Sequence, residues 1–460
     1  MKNKSLASWL FLCCLCFMAC QQAKDTTKAK EKKEAPKVGV QHPDWSKNLG
    51  IYEVNIRQYS KEGTLKKVEE DLPRIKELGV GILWLMPIYP ISEKNRKGSM
   101  GSYYAVQDYK AVNPEFGTMD DLKSFVNKAH ELGMYVILDW VANHTGWDHK
   151  WMEENPEYYT KDSTGNMMVP EGTDWTDVAD LNYENEDLRK AMTDALTFWV
   201  REANVDGYRC DVAGMVPIDF WDNVRVELDK IKPVFMLAED EGPIMHKAAF
   251  DMTYGWHLHH IMNEVAQGKK TVAEIDKYVA EDMGKFKPDD YRMLFTTNHD
   301  ENSWNGTVFE RMGAGAEAFA VLACTFPGMP LIYSGQEAGM DKRLKFFEKD
   351  EIEWKEHPMF DLFQQLLALK KRNAALWNGE AGGDFTRLKT GQDEHVFAFT
   401  RQKGENRVLV VLNLSEEAQN IDVLGVNGNY KDILGGGEHV ITDEWQITLP
   451  AWGYKVYELE

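Results

Sequence analysis

Four short segments end in side chains that can do chemistry. They are Asp139-Trp140-Val141-Ala142-Asn143-His144, Asp206-Gly207-Tyr208-Arg209-Cys210-Asp211, Leu237-Ala238-Glu239-Asp240 and Thr297-Asn298-His299-Asp300. Each begins as, or follows, an apolar run of strand type. Their order along the chain suggests one polar site at one end of a sheet or barrel. Two carboxylates from different strands can cleave a glycosidic bond, one as nucleophile and the other as acid and then base. Asp211 and Glu239 are the candidates for that pair, with Asp300 beside them. Arg209 is two residues from Asp211, and alternate residues of a strand face the same side. Its guanidinium should therefore hold the Asp211 carboxyl low and ionised, as a nucleophile requires. Glu239 must start protonated, which burial among carboxylates favours. Asp139 and Asp206 read as residues that hold loops, and Cys210, facing the other way, as packing.

The elements that must position these groups alternate in type. Strand candidates are Ile51–Ile56, Val80–Met86, Tyr135–Trp140, Gly207–Val212, Val234–Ala238, Phe250–Tyr254, Arg292–Thr297 and Pro330–Tyr333. Between them, Lys66–Leu78, Met119–Leu132, Asp187–Ala203 and Asp219–Ile231 carry apolar residues at helical spacing. Gly79 and Gly133 close the turn after a helix in two Glu-Leu-Gly sequences. Such alternation implies a parallel sheet, and its length predicts a closed (β/α)8 barrel over residues 43–375. Barrel enzymes build their sites at the C-terminal ends of the strands. That places Asp211, Glu239 and Asp300 after the fourth, fifth and seventh. Adjacent strands lie about 4.8 Å apart, which favours the ~5–5.5 Å carboxylate separation of a retaining enzyme. The long, Trp-, Tyr-, Asp- and Gly-rich connection at 144–185 reads as a small insert over the rim. Residues 376–460 read as a C-terminal antiparallel β domain, expected to be a β-sandwich.

These residues resemble the α-amylase family, glycoside hydrolase family 13. The resemblance runs from about Gly50 into the C-terminal domain. Leu78–Pro87 matches the family's second-strand motif, and Gly101-Ser102-Tyr103-Tyr104, Asp108-Tyr109 and Asn113–Thr118 match the loop that follows. Asp139–His144, Asp206–Asp211, Glu239 and Asn298-His299-Asp300 fall at its motif regions, and Val178–Asn182 resembles the signature closing the insert. The resemblance implies Asp211 as nucleophile, Glu239 as general acid/base and Asp300 as the residue that binds sugar hydroxyls and strains the ring. It implies His144, Arg209 and His299 as lining of the subsite for the attacked sugar, with Tyr104 as its stacking platform. It implies one cofactor, a calcium between barrel and insert, with Asn143 as one ligand and Asp180 or Asp177 as another, since calcium takes oxygen donors. The motif is incomplete: the family's calcium-binding His is Met215 here, and the Lys before it is Gly214.

The expected substrate is a starch-type α-glucan or maltooligosaccharide. A transglycosylase or isomerase using the same covalent intermediate is the alternative in the same class. A sugar-binding lipoprotein without activity should have lost one of the three carboxylates, and all are present. The 460 residues carry 15 Trp, 18 Tyr and a formal net charge of −21. That charge argues against nucleic acid, which needs a basic footprint. The aromatic content suits large cores or surfaces that stack on sugar rings. At the N-terminus Lys2 and Lys4 precede an apolar stretch, Leu6–Ala19, too short to span a bilayer. It ends at Phe17-Met18-Ala19-Cys20, which resembles a bacterial lipobox. The expectation is a signal peptide at 1–19, a lipid on Cys20, a disordered tether at 20–42 and a place in the bacterial cell envelope, with contact to membrane through the lipid alone. An ordinary cleaved signal peptide on a secreted or periplasmic protein is the alternative. Cys210 and Cys324 read as buried thiols.

Overall fold

A computed structural model describes residues 39–460 apart from Leu424 and Glu444. The expected signal peptide, Cys20 and most of the tether lie outside the described residues. His42, at the end of the stretch read as tether, already packs on the barrel, with Nδ1 2.8 Å from Asp251 Oδ1 and its ring stacked on Tyr291.

Eight parallel strands close the barrel: β1 (Ile51–Val54), β2 (Ile82–Leu85), β3 (Tyr135–Trp140), β4 (Gly207–Cys210), β5 (Phe235–Ala238), β6 (Met252–Tyr254), β7 (Tyr291–Leu294) and β8 (Met329–Tyr333). Neighbours run β1-β8-β7-β6-β5-β4-β3-β2 around the ring. Every expected strand is present, several trimmed by one to three residues where the chain leaves the ladder. The helices at Met119–Glu131, Glu186–Glu202 and Ile218–Asp229 lie where the spacing put them. The helix expected over Lys66–Leu78 is two, Leu65–Glu70 and Leu72–Leu78. Pro73 in the first turn of the second piece has no N–H to continue the ladder.

Strand parity explains the site. Residues of one parity, among them Ile51, Ile82, Ile137, Leu237, Met252, Met293 and Leu331, fill the barrel's interior. The other parity, including Leu83, Leu138, Tyr208, Cys210 and Met236, packs outward against the helices. Glu53, Asp139 and Arg209 have the inward parity, two residues beyond Ile51, Ile137 and Gly207. Asp139 pairs with Arg209 across β3 and β4. The apolar interior therefore ends at its C-terminal mouth in a charged layer. Gly207 has a positive φ of 151°, and a Cβ there would lie 1.9 Å from Phe235 O, so only glycine lets β4 approach β5.

The insert pairs His144–Gly146 antiparallel with Val178–Asp180. Trp151, Tyr158 and Tyr159 are buried beneath it. The C-terminal domain holds β9 (Asp384–Leu388), β10 (Val396–Lys403), β11 (Asn406–Asn413), β12 (Gln419–Asp422), β13 (Gly428–Asp432), β14 (Glu438–Ile441), β15 (Gln446–Leu449) and β16 (Tyr454–Leu459). They form an antiparallel sheet in the order β9-β10-β11-β16-β13-β14, with β12 and β15 as a separate pair. No helix among the described residues is long and apolar enough to cross a membrane.

Candidate active site

Arg209 is the hub. It has no exposed surface. Its Nη1 lies 2.8 Å from Asp139 Oδ1 and 2.9 Å from Asp211 Oδ1. Its Nη2 lies 2.7 Å from Glu239 Oε2, an ion pair set off the N–H direction. Nε donates to the Tyr254 hydroxyl at 3.2 Å. The rings of Trp84 and Tyr104 flank the guanidinium, with centroids 5.1 and 5.6 Å away. A cation this deeply buried persists only because several carboxylates and a hydroxyl surround it.

Asp139, read from the sequence as a loop anchor, is instead the floor of the site. It is fully buried and accepts from Trp84 Nε1 and from the Tyr104 hydroxyl, both at 3.1 Å, as well as from Arg209. Asp206 does serve structure, at the other end of β4. Its carboxylate receives Val136 N at 2.8 Å and lies 2.7 Å from His130 Nε2.

Asp211 departs from its expected state. Burial pushes its carboxyl well above the usual range. Arg209 pulls it down, but Glu239, Asp139 and Asp300 push it up again. The guanidinium is shared among three carboxylates, so no single one receives its full effect. Glu239 Oε2 also accepts the backbone N–H of Val212 at 2.7 Å. Val212 sits at φ 36°, ψ 48°, a left-handed conformation that β-branched residues avoid. Strain at the residue following Asp211 thus aims an amide at Glu239.

Asn143-His144 and Asn298-His299 look alike in sequence and differ in charge. Burial lowers His299, but the charges of Asp300 and Glu53 outweigh it and hold the imidazole up at about 9. Its Nδ1 donates to Glu53 at 2.5 Å, and its Nε2 lies 2.7 Å from the Tyr104 hydroxyl and 3.3 Å from Asp300 Oδ2. His144 meets no carboxylate, and burial drives it down to about 3. Its ring meets Trp175 edge-on at 5.5 Å. The surroundings favour the charged form of His299 and the neutral form of His144.

Tyr104, His144, Asp211, Glu239, His299 and Asp300 all open on one cleft of about 470 Å³. Arg209 lies directly beneath it. Tyr104 presents its ring, which stacks on His299 and Phe346. Trp304, Phe346 and Phe347 form one wall, while Lys97, Trp175 and Asp177 contribute to another. Sequence reading passed over Glu53, Tyr254, Trp304 and Phe346. Glu53 had a signal, an acidic residue of inward parity inside an apolar strand. The aromatics had none, because nothing in local sequence marks which rings face a cleft.

Asn143 is buried, with its amide nitrogen 3.3 Å from His144 Nδ1. Asp177 is ion-paired with Lys97 at 2.9 Å. Asp180, half-buried, pairs in register with His144. No group of three or more His, Cys, Asp or Glu able to hold a metal occurs among the described residues. Calcium draws on six to eight oxygens, carbonyls as well as carboxylates, and one of the two acidic candidates, Asp177, is already engaged by Lys97. A Cβ at Gly214 would lie 2.1 Å from Asp240 Oδ2, the tip of a partly exposed side chain that can turn aside.

Residues 24–169 and 172–393 match the family described as "Alpha amylase, catalytic domain", and residues 385–456 match "Maltogenic Amylase, C-terminal domain". Alpha-amylase 3 of Dictyoglomus thermophilum is 26% identical over 81% of this chain and 85% of its own length. Alpha-amylase MalA of Haloarcula japonica is 26% identical over 89% of this chain, which spans 63% of that protein. Among solved structures, a maltogenic alpha-amylase, AmyB, from Thermotoga neapolitana superposes with a TM-score of 0.82 at 30% identity, over 90% of this chain and 98% of its own. An alpha-amylase from Lactobacillus plantarum gives 0.81 at 31% identity, over 90% and 100%. With a barrel, a charged mouth and a C-terminal β domain in the places that likeness requires, the chain belongs to the α-amylase family of glycoside hydrolases.

Proposed function

We propose that this O-glycosyl hydrolase cleaves α-glucosidic bonds of starch-type glucans or maltooligosaccharides with retention of configuration. The observation that carries the reading is the single guanidinium of Arg209, in contact with both Asp211 and Glu239. One planar group holds the two carboxyls close, which suits the ~5–5.5 Å of a retaining pair better than the ~6.5–9.5 Å that an intervening water needs. Asp211 attacks the anomeric carbon as its carboxylate. Glu239 gives its proton to the glycosidic oxygen, and the leaving chain departs. A glycosyl ester on Asp211 remains. Glu239, now a carboxylate, takes a proton from water, which attacks the same carbon and frees Asp211. Asp300 and the charged His299 bind hydroxyls of the attacked sugar, neutral His144 donates to or accepts from another, and Tyr104 stacks on the ring.

A second reading has an observation of its own. Trp304, Phe346 and Phe347 would bind a sugar acceptor as well as a leaving chain, so transfer to sugar competes with hydrolysis. Reducing-sugar release and product analysis on maltooligosaccharides separate the two. The reading fails if Asp211→Asn retains activity, or if the first product formed is the β-anomer.

We also propose export and lipid anchoring to the bacterial cell envelope through Cys20. Lys2, Lys4, the apolar stretch Leu6–Ala19 and the Ala19-Cys20 junction support it. Cell fractionation of Cys20→Ala tests it.

A further inference from the structure

Trp354 lies on the long connection between β8 and the helix Pro358–Arg372. Although large and apolar, it is 37% exposed. It is also firmly held. Its indole N–H donates to Tyr59 O at 2.7 Å, and the Tyr59 ring meets it at 4.8 Å. The Arg74 guanidinium covers one face of the indole, 4.5 Å from the centroid. Arg74 is itself fixed, with Nε 2.8 Å from Asp71 Oδ2 and Nη1 2.9 Å from Glu337 Oε1. The indole is thus backed by Arg74 and Tyr59 and still partly exposed. It borders a groove of about 940 Å³ that shares no lining residue with the catalytic cleft.

A fixed, exposed indole is a surface made for contact. An aromatic ring that is already immobile loses little entropy when a ligand stacks on it. Around it stand Lys67, Lys355, Glu356 and Asp361, of both signs. In a chain of net charge −21 this local balance disfavours an ionic ligand. It suits a neutral one rich in hydroxyls, which takes bonds from cations and gives them to carboxylates. The same connection carries Phe346 and Phe347 into the cleft, so one segment borders both places.

We propose that the Trp354 groove is an auxiliary binding site for α-glucan chains. The proposal rests on the glucan reading above. A polymer held there raises the effective concentration of its own bonds at the cleft, whereas a short oligosaccharide cannot use it.

The test separates the two sites. Migration of the full chain through gels containing soluble amylopectin is compared for Asp211→Asn alone and with Trp354→Ala or Trp354→Phe added, so that the glucan is not consumed. The same Trp354 substitutions in the active chain are assayed on maltotriose. Trp354→Ala is expected to weaken amylopectin retention by at least about five-fold, and Trp354→Phe to fall between it and the parent. Turnover of maltotriose should be unchanged in both. Retention equal to the parent's overturns the groove, as does an equal loss on maltotriose. Where Trp354→Ala does not fold, Trp354→Phe, which keeps a ring on Tyr59, decides by the same criteria. An active parent that amylopectin does not retard sinks the groove alone. A parent inactive on every α-glucan sinks the functional reading.

Discussion

At Asp211 two demands conflict. The proposed chemistry needs a carboxylate, while the site resists one, because burial and three neighbouring carboxyls lift its titration. A carboxyl whose folded value lies above its unfolded value stabilises the fold only while protonated. That contribution is lost as pH rises, so at neutral pH the ionised group is a net cost. Asp211→Asn should therefore melt higher than the parent at pH 7 while losing activity by about 10⁴-fold or more. Calorimetry and reducing-sugar assays on one preparation check both, and a lower melting temperature would show that the ionised group stabilises. His299 has the opposite sign of charge and the same sense of shift. Its folded value of about 9 exceeds the ordinary 6.5. Its stabilising charge is complete below about 6.5 and lost as pH rises through about 9. Urea-unfolding free energies of the parent and of His299→Gln should converge across that window. Curves that stay parallel from pH 6 to pH 10 would rule the assignment out.

Among the elements, the insert and the connection after β8 shape the cleft, and they are tied down by different means. The insert carries Asp177, which Lys97 of the preceding connection holds at 2.9 Å. An ammonium here bridges two segments as a metal otherwise could. Chelator should leave the melting temperature and the activity unchanged. Asp177→Asn should lower stability by about 1 kcal/mol. A fall in melting temperature with chelator, restored by calcium, would refute this. The connection after β8 is tied by hydrogen bonds: Gln58 Nε2 donates to Lys345 O at 2.9 Å and to Glu348 O at 2.8 Å. Strands were legible because apolar runs of the right length are sparse and bounded by Gly and Asp. The break at Asp71 was less so, since helical spacing continues through it and only Pro73 interrupts the hydrogen bonding.

Over the whole molecule, the C-terminal domain is joined to the barrel by an apolar and polar seam. Phe326 packs on Phe385, Phe397 and Phe399. The Tyr454 hydroxyl donates to Glu317 at 2.7 Å, and Arg372 pairs with Glu458 at the same distance. The cleft itself is lined by residues of the barrel and its connections, none of them from the C-terminal domain. The proposed anchor then sets where that cleft works. The parent chain should sediment with membranes and incorporate labelled fatty acid. Cys20→Ala should do neither and remain active. A Cys20→Ala chain that still carries the label would locate the lipid elsewhere.

Sequence by itself determined the barrel, the order of its strands and the place of Asp211, Glu239 and Asp300 at its mouth, while it passed over Glu53 and took Asp139 for a loop anchor. Those follow from period and parity, which are local: an inward residue two beyond Ile137 or Gly207 has one place to go. It could not determine the charge those groups carry. Arg209 was expected to hold the Asp211 carboxyl low, and His144 and His299 to line one subsite. Tertiary structure decided their charges, by bringing Glu53 to His299 from 246 residues away, by leaving His144 without a carboxylate, and by dividing one guanidinium among Asp139, Asp211 and Glu239. Protonation depends on burial and on distances to charges from distant strands, and neither is written in neighbouring residues.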